Sequence, residues 1–159
     1  WVRCVSMSDT NIVCVGMAFV FCVLNGYINA KYSLMTAQME RPLLTAVGVI
    51  LFLYGFYINY TSDGILFQLR REGAKHDKKD KYQIPRGGYF DYVTCANYFG
   101  EVVEWIGWAL VTRHAAAIVF AFFTICFLSV RAHSQHKWYQ NKFGSSYPAT
   151  RKSIFPFLL

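Results

Sequence analysis

Four stretches of this sequence, 12–30, 43–62, 93–112 and 115–130, are each close to the ~20 residues that a helix needs to cross a bilayer. The first opens with an unbroken apolar run from Ile12 to Leu24, and the fourth carries no charge at all. The second ends in polar residues, Asn59-Tyr60-Thr61-Ser62-Asp63, and the third is interrupted by Asn97, Glu101 and Glu104. Unpaired backbone groups are too costly in lipid for open structure, and no barrel alternation competes, so helices are the default. The reading is an all-α membrane protein, a bundle of about four transmembrane helices. A hydrophobic share of 55% in 159 residues, 18% of the chain being aromatic, supports membrane over soluble class.

Charge sets the expected orientation. Arg3, the seven Lys/Arg between Arg70 and Arg86, and Arg131, Lys137, Lys142, Arg151 and Lys152 fall on one side of the four spans. Lys31, Arg41 and Arg113 fall on the other. By the positive-inside rule the connection 63–92 and the tail 131–159 face the cytosol. The same asymmetry accounts for the net charge of +7 without nucleic acid. The basic run from Lys75 to Lys81 serves either as a topology signal or as a contact for anionic lipid. Five cysteines, Cys4, Cys14, Cys22, Cys95 and Cys126, form no C-x-x-C pair, so reduced thiols are expected rather than a disulfide framework or a zinc site.

Polar groups inside spans are costly, and here they form stripes. At about 100° per residue, Asn59, Asp63 and Arg70 share an arc of about 40° on an extended second helix. Asn97, Glu101, Glu104 and Trp108 share a similar arc on the third. On the fourth, Phe123, Phe127 and Arg131 make a run that Gln135 and Tyr139 continue if the helix persists. Asn25 and Asn29 lie one turn apart on the first. Together the stripes can enclose a polar cavity that opens to the cytosolic side. Each also has a plain structural reading: Asn25 and Asn29 as interhelical hydrogen-bonding glue, Asp63 as a surface charge near Arg70 or Arg71, the glutamates as ion-pair partners, the phenylalanines as packing. A buried acid pair seldom serves stability alone, which favours a site at Glu101 and Glu104.

The connection ends in Ile84-Pro85-Arg86-Gly87-Gly88, a tight turn whose backbone amides can approach an anion. It is not G-x-G-x-x-G after a strand, and no Walker, G-x-S-x-G or H-E-x-x-H motif is present. His133 and His136 lack a third ligand at helical spacing, so no metal is expected. The residues by themselves leave enzyme, transporter and receptor open.

Three segments resemble the steroid 5α-reductase family. The most specific is the run from Tyr82 to Leu110, with Gly88-Tyr-Phe-Asp-Tyr-Val93, Ala96-Asn-Tyr98, Gly100-Glu101 and Glu104-Trp105. Upstream, Asn25-Gly26-Tyr27, Asn59, Ser62-Asp63 and Gln68-Leu69-Arg70 match further family elements. Downstream, Phe120 to Arg131, Trp138-Tyr139, Phe143, Tyr147-Pro148 and Ile154-Phe-Pro-Phe-Leu158 match its C-terminal signature, the closing Pro-Phe being shared with related enoyl-CoA reductases.

The resemblance implies the C-terminal part of a seven-helix enzyme of the endoplasmic reticulum membrane, residues 1–159 forming its C-terminal membrane domain. Such enzymes reduce the 4,5 double bond of a 3-oxo-Δ4-steroid with NADPH. Family cofactor contacts fall on Asn59, Asp63, Arg70, Asn97, Glu101, Arg131, Gln135 and Tyr139, and the apolar steroid pocket on Phe21, Phe123 and Phe127. Gln135 stands where the family often has histidine; it hydrogen-bonds but carries no charge. In the family a tyrosine and a glutamate from the N-terminal half polarise the 3-oxo group. No catalytic residue is therefore named in this sequence, which is expected to be inactive alone. The rival readings are an enoyl-CoA or polyprenol reductase of the same superfamily, a membrane methyltransferase using S-adenosylmethionine, and a non-enzymatic membrane protein.

Overall fold

A computed structural model describes residues 12–35, 41–73 and 82–156. They form four α-helices: α1 (Ile12–Met35), α2 (Pro42–Gly73), α3 (Ala96–Thr112) and α4 (Ala115–Phe143). Short 3₁₀ turns occupy Gly88–Asp91 and Gly144–Ser146, and no strand occurs among the described residues. α2 and the helical stretch that α4 begins are long and apolar enough to cross a membrane. The lysines of 74–81 and the closing 157–159 lie outside the described residues, as does Arg3.

The helix ends differ from the sequence expectation, each for a local reason. α2 runs on to Gly73, so residues 63–73 are helix rather than connection. Gly64 is the single weak helix former before Gly73, and one interior glycine lowers helix stability without ending a helix. α4 likewise continues to Phe143, thirteen residues past the apolar stretch, until Gly144 caps it with its N–H on the Gln140 carbonyl. α3 begins at Ala96, not Val93, because Val93 bridges to Lys152. There the Thr94 N–H donates to the Lys152 carbonyl (2.8 Å), the Cys95 N–H to the Ser153 carbonyl (3.1 Å), and the Lys152 N–H to the Tyr92 carbonyl (3.0 Å). The C-terminal segment is thus a strap, hydrogen-bonded along the entry to α3.

α2 and α3 pack antiparallel through two glycine pairs. A Cβ on Gly55 would lie 2.4 Å from the Glu104 nitrogen and 2.6 Å from the Gly100 oxygen. One on Gly107 would lie 2.4 Å from the Phe52 nitrogen and 2.7 Å from the Gly48 oxygen. Backbone touches backbone at both levels, which only glycine permits, and such small-residue contacts are how helices associate where lipid removes the hydrophobic drive. Gly48 and Gly55 are seven residues apart, as are Gly100 and Gly107, so the four lie on one seam.

α3 turns into α4 through two residues. Arg113 takes the left-handed conformation (φ 54°) that ends α3, and His114 caps α4 by accepting the Ala117 N–H on Nδ1 at 3.0 Å. At the opposite end of α3 the core comprises Cys95, Tyr98, Val102, Leu128, Ala132 and Ile154, joining α3, α4 and the strap. α1 is held by a polar ladder: Trp108 Nε1 donates to Asn29 Oδ1 (3.0 Å), and Asn29 Nδ2 donates to Asn25 Oδ1 (3.0 Å). Asn29 therefore acts as interhelical glue, and Asn25 braces it from within α1.

Candidate functional site

The glycine seam sets α2 and α3 close enough for their polar stripes to meet. The side chains of Asn59 and Glu104 hydrogen-bond across it. Glu101, one turn nearer the start of α3, interacts electrostatically with Asp63 of α2 and with Arg131 of α4. Asn59, Asp63, Asn97, Glu101, Glu104 and Arg131 are all half-buried, neither sealed in the core nor fully wet. Three helices therefore contribute amides, carboxylates and a guanidinium to one region at the end of the bundle where α3 begins. Glu104 was visible as a stripe member, but its partner Asn59 could only be named once the two helices were in register.

Arg131 joins this polar cluster to an aromatic one. Its guanidinium lies over the Phe127 ring at 5.6 Å, a cation–π distance, and Phe127 stacks on Phe123 (5.6 Å, 12°). Phe21 of α1 meets Phe123 at 6.4 Å and Phe120 at 6.0 Å. Phe21, Phe123 and Phe127, expected to form one apolar wall, are thus adjacent in space and leave their rings exposed. A further ring, Trp105, packs edge-on against Phe120 at 4.3 Å.

Other expected site residues are less closely gathered. Arg70 and Gln135 are exposed on the late turns of α2 and α4. Tyr139 is buried and stacked between Phe143 (5.8 Å) and Tyr147 (5.7 Å), with Trp138 edge-on at 5.0 Å. Its ring serves the packing of α4 on the strap.

Beside the cluster stands a rim that helical periodicity could not reveal. Pro85 is buried, and Gly87 and Gly88 take positive φ (92° and 57°), with nothing within 4 Å of a Cβ on either. Asp91 folds back to accept the Gly87 N–H at 2.9 Å. Thr94 links this rim to α4 and the strap: its hydroxyl donates to the Lys152 carbonyl (3.1 Å) and meets the Tyr147 hydroxyl (2.7 Å) and His136 Nδ1. Among the described residues no group of His, Cys, Asp and Glu could hold a metal ion.

The cluster's chemistry suits a polar ligand with hydroxyls, a carboxamide and phosphates. Carboxylates accept from sugar hydroxyls, side-chain amides both donate and accept, and guanidinium pairs with phosphate. The adjoining phenylalanine wall suits a flat apolar molecule.

Comparison with known proteins gives this chemistry a context. A family model described as 3-oxo-5-alpha-steroid 4-dehydrogenase matches residues 8–159. The chain is 46% identical over 147 residues to 3-oxo-5-alpha-steroid 4-dehydrogenase 1 of Mus musculus, covering 90% of this chain and 55% of that protein. Its identity to the Homo sapiens protein of the same name is 47% over 146 residues, 89% of this chain and 54% of the relative. Steroid 5-alpha-reductase DET2 of Solanum lycopersicum is 41% identical over 145 residues, again 89% and 54%. The chain spans about half the length of the curated relatives it matches.

Proposed function

The chain belongs to the 3-oxo-5-alpha-steroid 4-dehydrogenase family, and from that premise we propose that it supplies the cofactor site of an NADPH-dependent steroid reductase. The reaction is reduction of the 4,5 double bond of a 3-oxo-Δ4-steroid, with hydride delivered to C5. The observation that carries this reading is the convergence of Asn59, Asp63, Glu101, Glu104 and Arg131 beside the wall of Phe21, Phe123 and Phe127. A polar dinucleotide and an apolar steroid need two such surfaces in contact, because hydride transfer demands a near-attack distance between them.

Asn59, Asn97, Asp63 and Glu101 would hold the nicotinamide riboside, and Arg131 and Arg70 the phosphates. Reduced nicotinamide, when bound, is the hydride source. The protein's part is position and electrostatics. Asn59 bonded to Glu104 fixes one amide orientation, and the charges of Arg131 and Glu101 attract each other, which favours a donor set ordered before a ligand arrives. Residues 1–159 then form one C-terminal membrane domain in the endoplasmic reticulum membrane, with the basic connection and tail facing the cytosol and lipid around the bundle.

The test is nucleotide binding to the chain in lipid nanodiscs. Asn97→Ala and Arg70→Ala should each weaken NADPH binding, the arginine change more, since charge-assisted hydrogen bonds contribute roughly 1.5–3 kcal/mol. An unchanged dissociation constant in both variants would remove the site assignment. Thermal protection by S-adenosylmethionine but not NADPH would replace the reading with a methyltransferase. Turnover of an enoyl-CoA in preference to a 3-oxo-Δ4-steroid by the complete enzyme would move it to a sister reductase.

A further inference from the structure

Aromatic rings surround the ammonium of Lys142, in the last turn of α4. Its Nζ lies 3.9 Å from the Tyr82 ring centroid, 5.0 Å from that of Trp138 and 5.9 Å from that of Phe143. The Tyr82 and Trp138 rings stand at 71° with centroids 5.3 Å apart, so they form two walls of a corner. Lys142 and Trp138 are four residues apart and share a face of α4. Side chains lean toward the start of their helix, which carries the ammonium back to the indole. Tyr82, Trp138 and Lys142 are all exposed, and among the described residues no carboxylate pairs with Lys142.

The corner is thus an open cation site in which the chain's own lysine stands in for a ligand. A primary ammonium suits it incompletely, because it is strongly hydrated and its three N–H donors find no acceptor on a ring face. A quaternary ammonium has no N–H to leave unpaired, and it is the cation that aromatic cages recognise. On displacing Lys142 it would leave a second cation beside it, which needs an anion. A headgroup that joins a quaternary ammonium to a phosphate meets both needs. Free choline would set two cations against each other, and a purely anionic headgroup would leave the corner to the lysine.

The depth of the corner fits a lipid source. Counted from the α3–α4 turn, a hydrocarbon core of about 30 Å takes about 20 residues of α4 at 1.5 Å per residue, which ends near Ser134. Trp138 stands one turn, about 6 Å, further on, in the layer of headgroups. We propose that Tyr82, Trp138 and Lys142 form a headgroup site for phosphatidylcholine, the rings taking the choline and the displaced Lys142 ammonium pairing with the phosphate. This rests on the membrane reading of α4 and is independent of the cofactor site.

Native mass spectrometry of the full chain in detergent tests the site. The chain is incubated with an equimolar mixture of phosphatidylcholine, phosphatidylethanolamine and phosphatidylglycerol carrying the same acyl chains, which the adduct masses tell apart. The unaltered protein should retain phosphatidylcholine in preference. Trp138→Leu and Tyr82→Leu should each lose about threefold or more of that retention while keeping the other two lipids, and Trp138→Phe should keep most of it. Tyr82 is an exposed ring whose loss spares the packing of Trp138 on Tyr139. Lys142→Gln should also retain less phosphatidylcholine, because the phosphate loses its partner. Equal retention of the three lipids, a preference for phosphatidylglycerol, or undiminished phosphatidylcholine in the leucine variants or in Lys142→Gln would overturn the proposal and leave Lys142 a clasp between residue 82 and α4. An unaltered chain that retains no lipid would instead remove the membrane reading, and this site with it.

Discussion

Thr94 is 3% exposed, and its single hydroxyl serves three neighbours. Having one hydrogen, it donates to the Lys152 carbonyl and must accept from the Tyr147 hydroxyl and from His136 Nδ1–H. His136 Nε2 is then the acceptor for the Gln140 amide at 2.9 Å, which assigns the neutral imidazole. Thr94→Val keeps the shape, but leaves a phenol and an imidazole N–H without their acceptor. It should destabilise by roughly 1–3 kcal/mol, measured as a lower Tm. The same network predicts a pH dependence. Burial, then the nearby charges of His133 and Lys152, hold the His136 pKa below its ordinary value. The unfolded histidine titrates near 6.5 and so takes up its proton first as pH falls. Its contribution is fully present above about pH 6.5 and declines as pH drops toward the lower folded value. Tm should therefore fall between pH 7.5 and 5.5, and less so in His136→Asn. Parallel curves for the two proteins would count against this tautomer.

The elements meet where side chains are missing. Gly55→Ala would place a methyl group 2.4 Å from the Glu104 nitrogen, a backbone atom that cannot rotate away, so α2 and α3 must separate. A loss of about 1–3 kcal/mol is expected, and under the proposed cofactor reading NADPH binding should weaken as well, because Asn59 and Glu104 move apart. Gly64→Ala, on the same helix but with nothing within 4 Å, should be neutral or stabilising by up to about 1 kcal/mol. Equal effects from the two changes would refute the seam. The contrast also shows what the sequence could disclose. Apolar runs located all four helices, and period-3.6 counting placed Asn59 with Asp63 and Glu101 with Glu104 on single faces. The partner of a face is not encoded in that period. Asn59 on Glu104 and Glu101 beside Asp63 and Arg131 needed the register, which the matched seven-residue glycine spacings on α2 and α3 would have supplied. Helix ends were missed where they depend on distant chain: Val93 and Thr94 leave α3 only because Lys152 pairs with them. Tyr139 stacking on Tyr147, and Arg151 in the strap, depend on the same non-local pairing, which no local pattern announces.

At the scale of the whole molecule, the seam bears on how the chain sits in a membrane. α3 has 17 residues and is not itself long enough to be counted as a span, yet it cannot be assigned a depth independent of α2. Its backbone touches α2 from Gly48 to Asn59, and beyond Gly48 the Arg113 guanidinium donates to Thr45 Oγ1 at 3.2 Å. Thr45 to Asn59 is about 21 Å of helix at 1.5 Å per residue. If α2 crosses, α3 returns beside it through most of the bilayer core. The Arg113-His114 turn then lies on the far side, and α4 crosses back. The basic tail after Val130 comes to the same side as Arg70, Arg71 and Arg86, as the positive-inside rule requires. A chain in which α2 and α4 alone crossed would put that tail across from those arginines. Single cysteines at exposed positions separate the two arrangements. Lys137→Cys in sealed microsomes should react with a membrane-impermeant thiol reagent added from the cytosolic side. Ala115→Cys should react only after detergent opens the membrane, each signal being read against the protein without the added cysteine. Reactivity of Ala115→Cys before detergent, with Lys137→Cys protected, would show that α3 stays on the cytosolic side and that its pairing with α2 does not hold in lipid.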